Sequence, residues 1–188
     1  MTRFSEKSEE IKLKILKTGF KCKLCGDCCR RVSEDSNLVL VSAPEIRKIM
    51  ENTGQSWSEI AEPYPDFLKQ EDGTEYTFNW ALKREGSRCI FLNESGRCRI
   101  YDIRPDICRT YPFMIQDGEL LAFECPGIGE ENNSKKDTRI LAEDLICREE
   151  NEDEDFRKIE ENYLLFNGDC NKKNKKYVID SEGAKIIE

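Results

Sequence analysis

Hydrophobic and polar positions alternate with changing period along this chain, and each change of period marks an element. Near the start, Ile11, Ile15 and Leu16 fall at helical spacing within residues 8–17 and Gly19 supplies a stop, so a short leading helix is expected. The period is lost over KCKLCGDCCRR at residues 21–31. Four cysteines surround Gly26 there, and a tight loop with its amides turned toward sulfur suits the stretch. Residues 37–41 read as a strand, after which Ser42, Pro44 and Glu45 carry a capping-box pattern for a helix from Pro44 to about Asn52. A second short helix starts at Ser56, carries Trp57, Ile60 and Ala61, and ends before Pro63 and Pro65.

Beyond Gly73, residues 76–82 read as one strand. CIFL at 89–92 and CRIY at 98–101 flank Asn93, Glu94, Ser95 and Gly96, and are expected to pair as a hairpin with Cys89 and Cys98 on its arms. Asp102 is a candidate cap for a helix of one or two turns through Arg104, Pro105 and Cys108, closed by Pro112. A further hairpin turns at Asp117 and Gly118 and delivers Cys125 and Pro126. After Gly129 the residues become acidic helix formers, which predict helices at 136–149 and 153–166 followed by a Lys- and Asn-rich end.

Composition narrows the picture. Charged residues make up 36% of the 188 and the mean hydropathy is −0.70, wetter than an average globular chain yet with enough aromatic residues to fold. The longest apolar runs are strand-sized, far short of the roughly 20 residues a bilayer span needs, so no membrane partner is expected. The opening MTRFSEKSEE lacks the apolar core of a secretion signal, and a cytoplasmic location is the expectation. The net charge is −8, of which residues 130–161 contribute −7 through thirteen acidic and six basic side chains. Nucleic acid calls for a basic face, and none is expected as a partner.

Ten cysteines without an export signal sit where cellular thiols keep sulfur reduced, which favours ligation over a disulfide framework. No histidine is present, so mixed Cys/His zinc sites and His-dependent catalytic pairs are excluded and a transition-metal site must be mainly thiolate. The candidate ligands are Cys22, Cys25, Cys28 and Cys29, spaced C-x2-C-x2-C-C, with Cys89, Cys98, Cys108 and Cys125. Two intervening residues let paired sulfurs turn to one metal, and the distant cysteines close the site, so that binding is part of folding. Side chains of adjacent Cys28 and Cys29 diverge and are expected to serve two centres. Two zinc sites of four thiolates each, or a [4Fe-4S] cluster with the remaining thiols holding a second centre or free, both fit. The C-x2-C-x2-C run, Cys125-Pro126 and the lack of histidine incline the reading to iron-sulfur, although a ferredoxin would space its fourth cysteine by three residues. Cys147 and Cys170 lack cysteine neighbours and are read as structural.

Around the later cysteines, Arg97, Arg99, Arg104 and Arg109 interleave with Tyr101, Tyr111 and Phe113. Guanidinium groups there would neutralise a tetrathiolate site and donate hydrogen bonds to its sulfurs; pairing with Asp102, Asp106 and Glu94, or binding of a small anionic substrate or a partner's carboxylate, are the alternatives. Asp27, between two ligands, is the carboxylate best placed for chemistry, with a loop-bonding role as its simpler explanation.

CKLCGDCC at 22–29, CIFL at 89–92 and CRIYDIRPDICRTYPF at 98–113 together resemble the YkgJ-like cysteine-cluster family, the zinc- or iron-chelating CxxCxxCC domains, over residues 20–126. The resemblance implies metal chelation by the cysteines. A related cysteine pattern occurs in flagellin lysine methylases, but a convincing strand, Gly-rich turn and helix for a methyl-donor nucleotide is lacking, so that activity does not transfer. The expected architecture is α+β: an irregular metal-organised domain of short strands and helices at 1–129, then an acidic helical C-terminal extension at 130–188. The expected function is metal binding through eight thiolates, as an iron-sulfur cluster with redox or cluster-dependent work, or as zinc in an interaction module without catalysis. An unidentified protein partner or a small anionic substrate is the partner class left open.

Overall fold

A computed structural model describes residues 3–30, 38–130, 135–168 and 174–187. The fold is α+β, with five α-helices and several small sheets among the described residues. Helix α1 (Arg3–Thr18) begins earlier than its apolar stripe, because Lys7 in its second turn pairs with Glu149 across the molecule. After the cysteine loop, which holds one 3-10 turn at Asp27–Cys29, comes strand β1 (Leu40–Val41). Of the strand expected over 37–41, residues 38 and 39 carry no regular structure, and residue 37 lies outside the described residues. Helix α2 (Ala43–Thr53) starts at the foreseen capping box, with Ser42 Oγ accepting from the Glu45 amide at 3.4 Å and the Glu45 carboxylate accepting from the Ser42 amide at 2.9 Å. Helix α3 (Trp57–Ile60) repeats the device with Ser56 and Glu59.

Strands β2 (Ala61–Pro63), β3 (Leu68–Lys69), β4 (Glu75–Phe78) and β5 (Trp80–Leu82) follow. The single strand expected over 76–82 is therefore two. Asn79 between them has φ of 62°, a left-handed conformation that its short polar side chain tolerates. The chain turns there, so β5 lies between β1 and β2 while β4 joins a different sheet beside β3. Strands β6 (Arg84–Glu85) and β7 (Arg88–Cys89) make a tight hairpin at Gly86. The hairpin expected between 89–92 and 98–101 is reduced to one bridge, Leu92 to Cys98. The helix expected from Asp102 breaks at Arg104-Pro105 into a 3-10 turn, Tyr101–Ile103, and α4 (Asp106–Thr110). The proline forces the residue before it out of the helical region. Strands β8 (Phe113–Gln116) and β9 (Glu119–Ala122) pair across Asp117 and Gly118, both with positive φ, as a two-residue turn of this composition requires.

The acidic segment is one 34-residue helix, α5 (Lys135–Gly168), not two. Residues 150–157 expose their charges without a Gly or Pro to break the helix, and Arg148–Glu152 and Lys158–Glu154 pair one turn apart across the stretch. The Lys- and Asn-rich end becomes a hairpin of β10 (Lys176–Asp180) and β11 (Gly183–Ile187). Strand β10 also pairs in parallel with β4, Val178 opposite Thr77, giving the sheet order β11-β10-β4-β3.

Three apolar clusters hold these pieces. Ile11 and Ile15 of α1 meet Ala142, Leu145 and Ile146 of α5, with Phe113 between; fully burying each large side chain is worth roughly 1.5–3 kcal/mol. Tyr76, Tyr177, Ile179, Ile159 and Phe166 seat the far half of α5 on the sheet. The largest cluster gathers Val41, Ile46, Ile49, Ile60, Trp80, Leu82, Phe91, Ile100 and Val178 under the cysteine loops.

Candidate metal centre

The glycine loop and the later cysteine segments close on one another through backbone contacts. Gly26 (φ 76°) packs so tightly that a Cβ there would lie 2.6 Å from the Gly96 carbonyl oxygen. The Lys21 amide donates to the Gly127 carbonyl at 2.8 Å, and a Cβ on Gly127 would meet the Lys21 carbonyl oxygen at 2.4 Å. Only glycine permits both approaches. They bring the first loop against the 93–96 turn on one side and the 125–127 loop on the other. An antiparallel bridge from Arg30 to Arg88 lays Cys29 beside the strand of Cys89.

Cys108 arrives on α4, whose placement depends on both neighbouring helices. The Asp106 amide at its start donates to Glu45 of α2 at 2.7 Å, and Asn151 of α5 donates to the Asp106 carboxylate at 2.8 Å. At its other end the buried Arg148 of α5 donates to Thr110 Oγ1 at 3.0 Å. Burial raises the Glu45 carboxyl above its usual range despite the amides it accepts.

All eight candidate cysteines line one cavity of about 660 Å³, walled otherwise by Phe20, Leu82, Phe91, Ile100, Tyr101, Tyr111 and Phe123 among others. The Cys28 and Cys29 sulfurs stand 4.0 Å apart. Among the described residues no three thiols or carboxylates are yet drawn together tightly enough to hold an ion, so the cavity gathers donors without presenting a finished coordination sphere. Cys147 is exposed on α5 and remote from this lining, and Cys170 lies outside the described residues.

The protons on these thiols report who neighbours whom. Burial raises Cys89, Cys98, Cys108 and Cys125 above the ordinary thiol range. Neighbouring thiols push further: Cys108 feels Cys89, Cys28 and Cys98, whereas Cys125 feels Cys25, Cys22 and Cys28. Cys28 is lowered to about 7, first by the hydrogen bond from Cys29 and, against burial, by Arg104; Cys29 is raised by giving that bond and by burial. Three sulfurs accept a backbone amide two residues onward: Cys89 from Phe91, Cys98 from Ile100, and Cys125 from Gly127 at 3.4 Å. Amides so aimed favour the thiolate, the form that binds metal. Eight thiolates could not share this apolar cavity without a multivalent cation among them, and on donor chemistry the lining fits such a group.

Arg97 and Arg104 line the cavity, and Arg99 and Arg109 stand outside its lining. Arg97 donates to the Leu24 carbonyl at 3.4 Å, Arg99 to Ile90 at 2.7 Å, and Arg104 to Tyr101 at 2.7 Å while its guanidinium stacks 3.5 Å over the Tyr101 ring. Arg109 faces Asp106 at 3.3 Å and Asp144 at 3.6 Å. Asp27 lies 3.4 Å from Arg30. Sequence reasoning overlooked Glu45, Arg148 and Asn151, which act from distant helices; the capping box at Glu45 was visible, but nothing in it indicated a second acceptor role. It also overlooked the Phe20 and Phe123 walls.

Comparison with known proteins agrees with the cysteine pattern. Residues 21–148 match the CxxCxxCC family profile, described as "Putative zinc- or iron-chelating domain", a span that reaches past the recognised 20–126 into α5. An uncharacterized protein of Methanocaldococcus jannaschii is 29% identical over 113 residues, 58% of this chain and 54% of that protein. The chain thus spans about half the length of that relative. No solved structure matches significantly. No described helix is long and apolar enough to cross a membrane. With two thirds of its length inside that profile and the cysteines of the signature around one cavity, the chain belongs to the CxxCxxCC family of zinc- or iron-chelating domains.

Proposed function

We propose that the chain binds metal through the thiolates of Cys22, Cys25, Cys28, Cys29, Cys89, Cys98, Cys108 and Cys125, with iron-sulfur as the occupant and zinc as the alternative. The observation that carries this is the convergence of all eight on one cavity from segments up to a hundred residues apart. One tetrahedral ion uses four thiolates, so eight exceed the needs of a single zinc. An iron-sulfur centre would supply electron transfer near the protein surface. The chain's own residues supply the setting. Phe20, Phe91, Phe123 and Tyr111 limit water at the sulfurs, the amides of Phe91, Ile100 and Gly127 hold negative charge on three of them, and Arg104 offsets it beside Cys28, Cys98 and Cys108. Arg97 and Arg99 brace the surrounding loops, and Arg109 steadies α4.

A zinc-stabilised interaction module is the second reading, favoured by the packing of Cys29, Cys89, Cys98 and Cys108 against the main core, a setting that suits a closed structural site. Metal and acid-labile sulfide analysis, with a visible spectrum, on protein purified without oxygen from a cluster-competent host separates the two. Iron with sulfide and a broad band bleached by reduction is the expected result. Stoichiometric zinc in a colourless protein replaces it with the interaction module, and folded, metal-free protein overturns both.

A further inference from the structure

The eight cysteines differ in where they stand, and the difference divides them evenly. Cys89 is buried in the main apolar cluster, and Cys29, Cys98 and Cys108 pack against that same cluster beside Phe91 and Ile100. Cys22, Cys25, Cys28 and Cys125 belong to none of the three clusters, and the first three of them are exposed. The two sets also rest on different scaffolds. The core-facing set sits on β7, the Leu92–Cys98 bridge, α4 and the Arg30–Arg88 bridge, all fastened to helices or strands. The other set sits on two loops, joined by the Lys21–Gly127 hydrogen bond and by Gly129 and Glu130 backbone bonds to the end of α1. The boundary falls between Cys28 and Cys29, the one adjacent pair, within a single 3-10 turn; their sulfurs, expected to diverge, lie 4.0 Å apart, so Cys28 is the outer thiol that also neighbours the inner set.

We propose, resting on the metal-binding reading above, that the chain holds two separate four-thiolate centres: an inner one on Cys29, Cys89, Cys98 and Cys108 that is part of the core, and an outer one on Cys22, Cys25, Cys28 and Cys125 that exchanges its metal with solvent. Filling the inner centre completes the packing of β7 and α4, so its ion leaves only when that packing opens. The outer centre draws together four cysteines that belong to none of the apolar clusters, so its metal departs while the body of the protein stays folded. The exposed sulfurs and the exposed rim of Leu24, Tyr101 and Phe123 give a chelator or an acceptor protein direct access to it.

The test uses the full chain, metal-loaded as purified, with metal per chain counted by elemental analysis and folding followed by near-ultraviolet circular dichroism. Three outer variants, Cys22→Ser, Cys28→Ser and Cys125→Ser, are compared with Cys108→Ser. Each outer variant is expected to lose about half of the wild-type metal with its near-ultraviolet spectrum retained, and Cys28→Ser behaves as Cys22→Ser does. In a parallel arm the wild-type chain is loaded with zinc alone and challenged with excess chelator, and release in two phases of equal amplitude is expected. Cys108→Ser is expected to lose the near-ultraviolet signal, but the inference stands on the outer variants, which need not unfold. Outer variants that lose all metal or none, Cys28→Ser that retains the metal Cys22→Ser loses, or single-phase release overturn the division while leaving metal binding intact. Wild-type protein that is purified without metal and takes up none on loading overturns the metal-binding reading itself.

Discussion

Residues 88–110 and the segments 135–168 and 176–180 form opposite kinds of structure within one small protein. The second region is a 34-residue helix and a strand paired on both sides; its backbone groups bond within regular elements and its apolar face meets α1 and the sheet. The first has a two-residue strand, two isolated bridges, one 3-10 turn and one five-residue helix. Turn hydrogen bonds hold its backbone, and arginines brace four of its carbonyls. Arg88 donates to Asn93, Arg99 to Ile90, Arg104 to Tyr101 and Arg109 to Arg104, each to a carbonyl oxygen. The contrast teaches that a chain can divide its order between two sources: burial and ladders in one region, and polar braces awaiting ligand bonds in the other.

Removing the metal is the strongest way to break that contrast. Structural thiolate sites carry on the order of 10 kcal/mol of folding free energy, so a stripped, reduced protein should lose hydrogen-exchange protection first across residues 21–30 and 88–110. Helix α5 should keep protection around Leu145 and Ile146, where it packs on α1. Equal loss in both regions would show that the cysteine loops and the helical body share one source of order.

A smaller effect tests the body from within. Asp180 is fully buried at the end of β10, and its carboxylate accepts from Trp80 Nε1 at 2.7 Å and the Glu182 amide at 2.9 Å, with Lys185 alongside. Asp180→Ala strands the buried indole donor and should cost on the order of 2–3 kcal/mol, measured by urea unfolding, without changing metal content. Loss of metal in this variant would mean that the β5 contact at Trp80 transmits directly to the thiol cavity.

The smallest expected effect lies at Glu182, held near a pKa of about 2 mainly by the hydrogen bond from Arg47, with Lys185 adding to it. A carboxylate lowered from its ordinary value of 4.5 contributes stability that is complete above that value and lost as pH falls toward about 2. Glu182→Gln should therefore lower the melting temperature slightly at neutral pH, and the difference from wild type should vanish as the pH approaches 2. A gap that widens in acid would contradict the sign of this linkage.

Local patterns exposed part of this structure before any coordinates. Ser42 with Glu45 marked the start of α2 and Asp117-Gly118 marked the β8–β9 turn; each is a matter of neighbours within a few residues. The same kind of reasoning missed the break at Asn79, because only the pairing of β4 with β10 and of β5 with β1 and β2 makes a left-handed residue there useful. It split α5 at the acidic stretch, where the exposed face carries no period and helix continuity rests on pairs and contacts with Asp106 and Asp180. It assigned no element to the Lys- and Asn-rich end, whereas Val178 and Ile179 are fully buried in the middle of a sheet.

The cavity followed the same division. Residue chemistry alone made thiolates the expected ligands of a transition metal here, since the chain has no histidine and ten cysteines. Folding settled which thiols face the core and which face solvent, and which helices hold α4 in place, because those facts depend on contacts such as Glu45 with Asp106 and Arg148 with Thr110, sixty-one and thirty-eight residues apart. Short-range pattern records what each residue can do; only long-range packing, which closes loops at an entropic cost repaid by burial and bonding, selects the neighbours with which it does it.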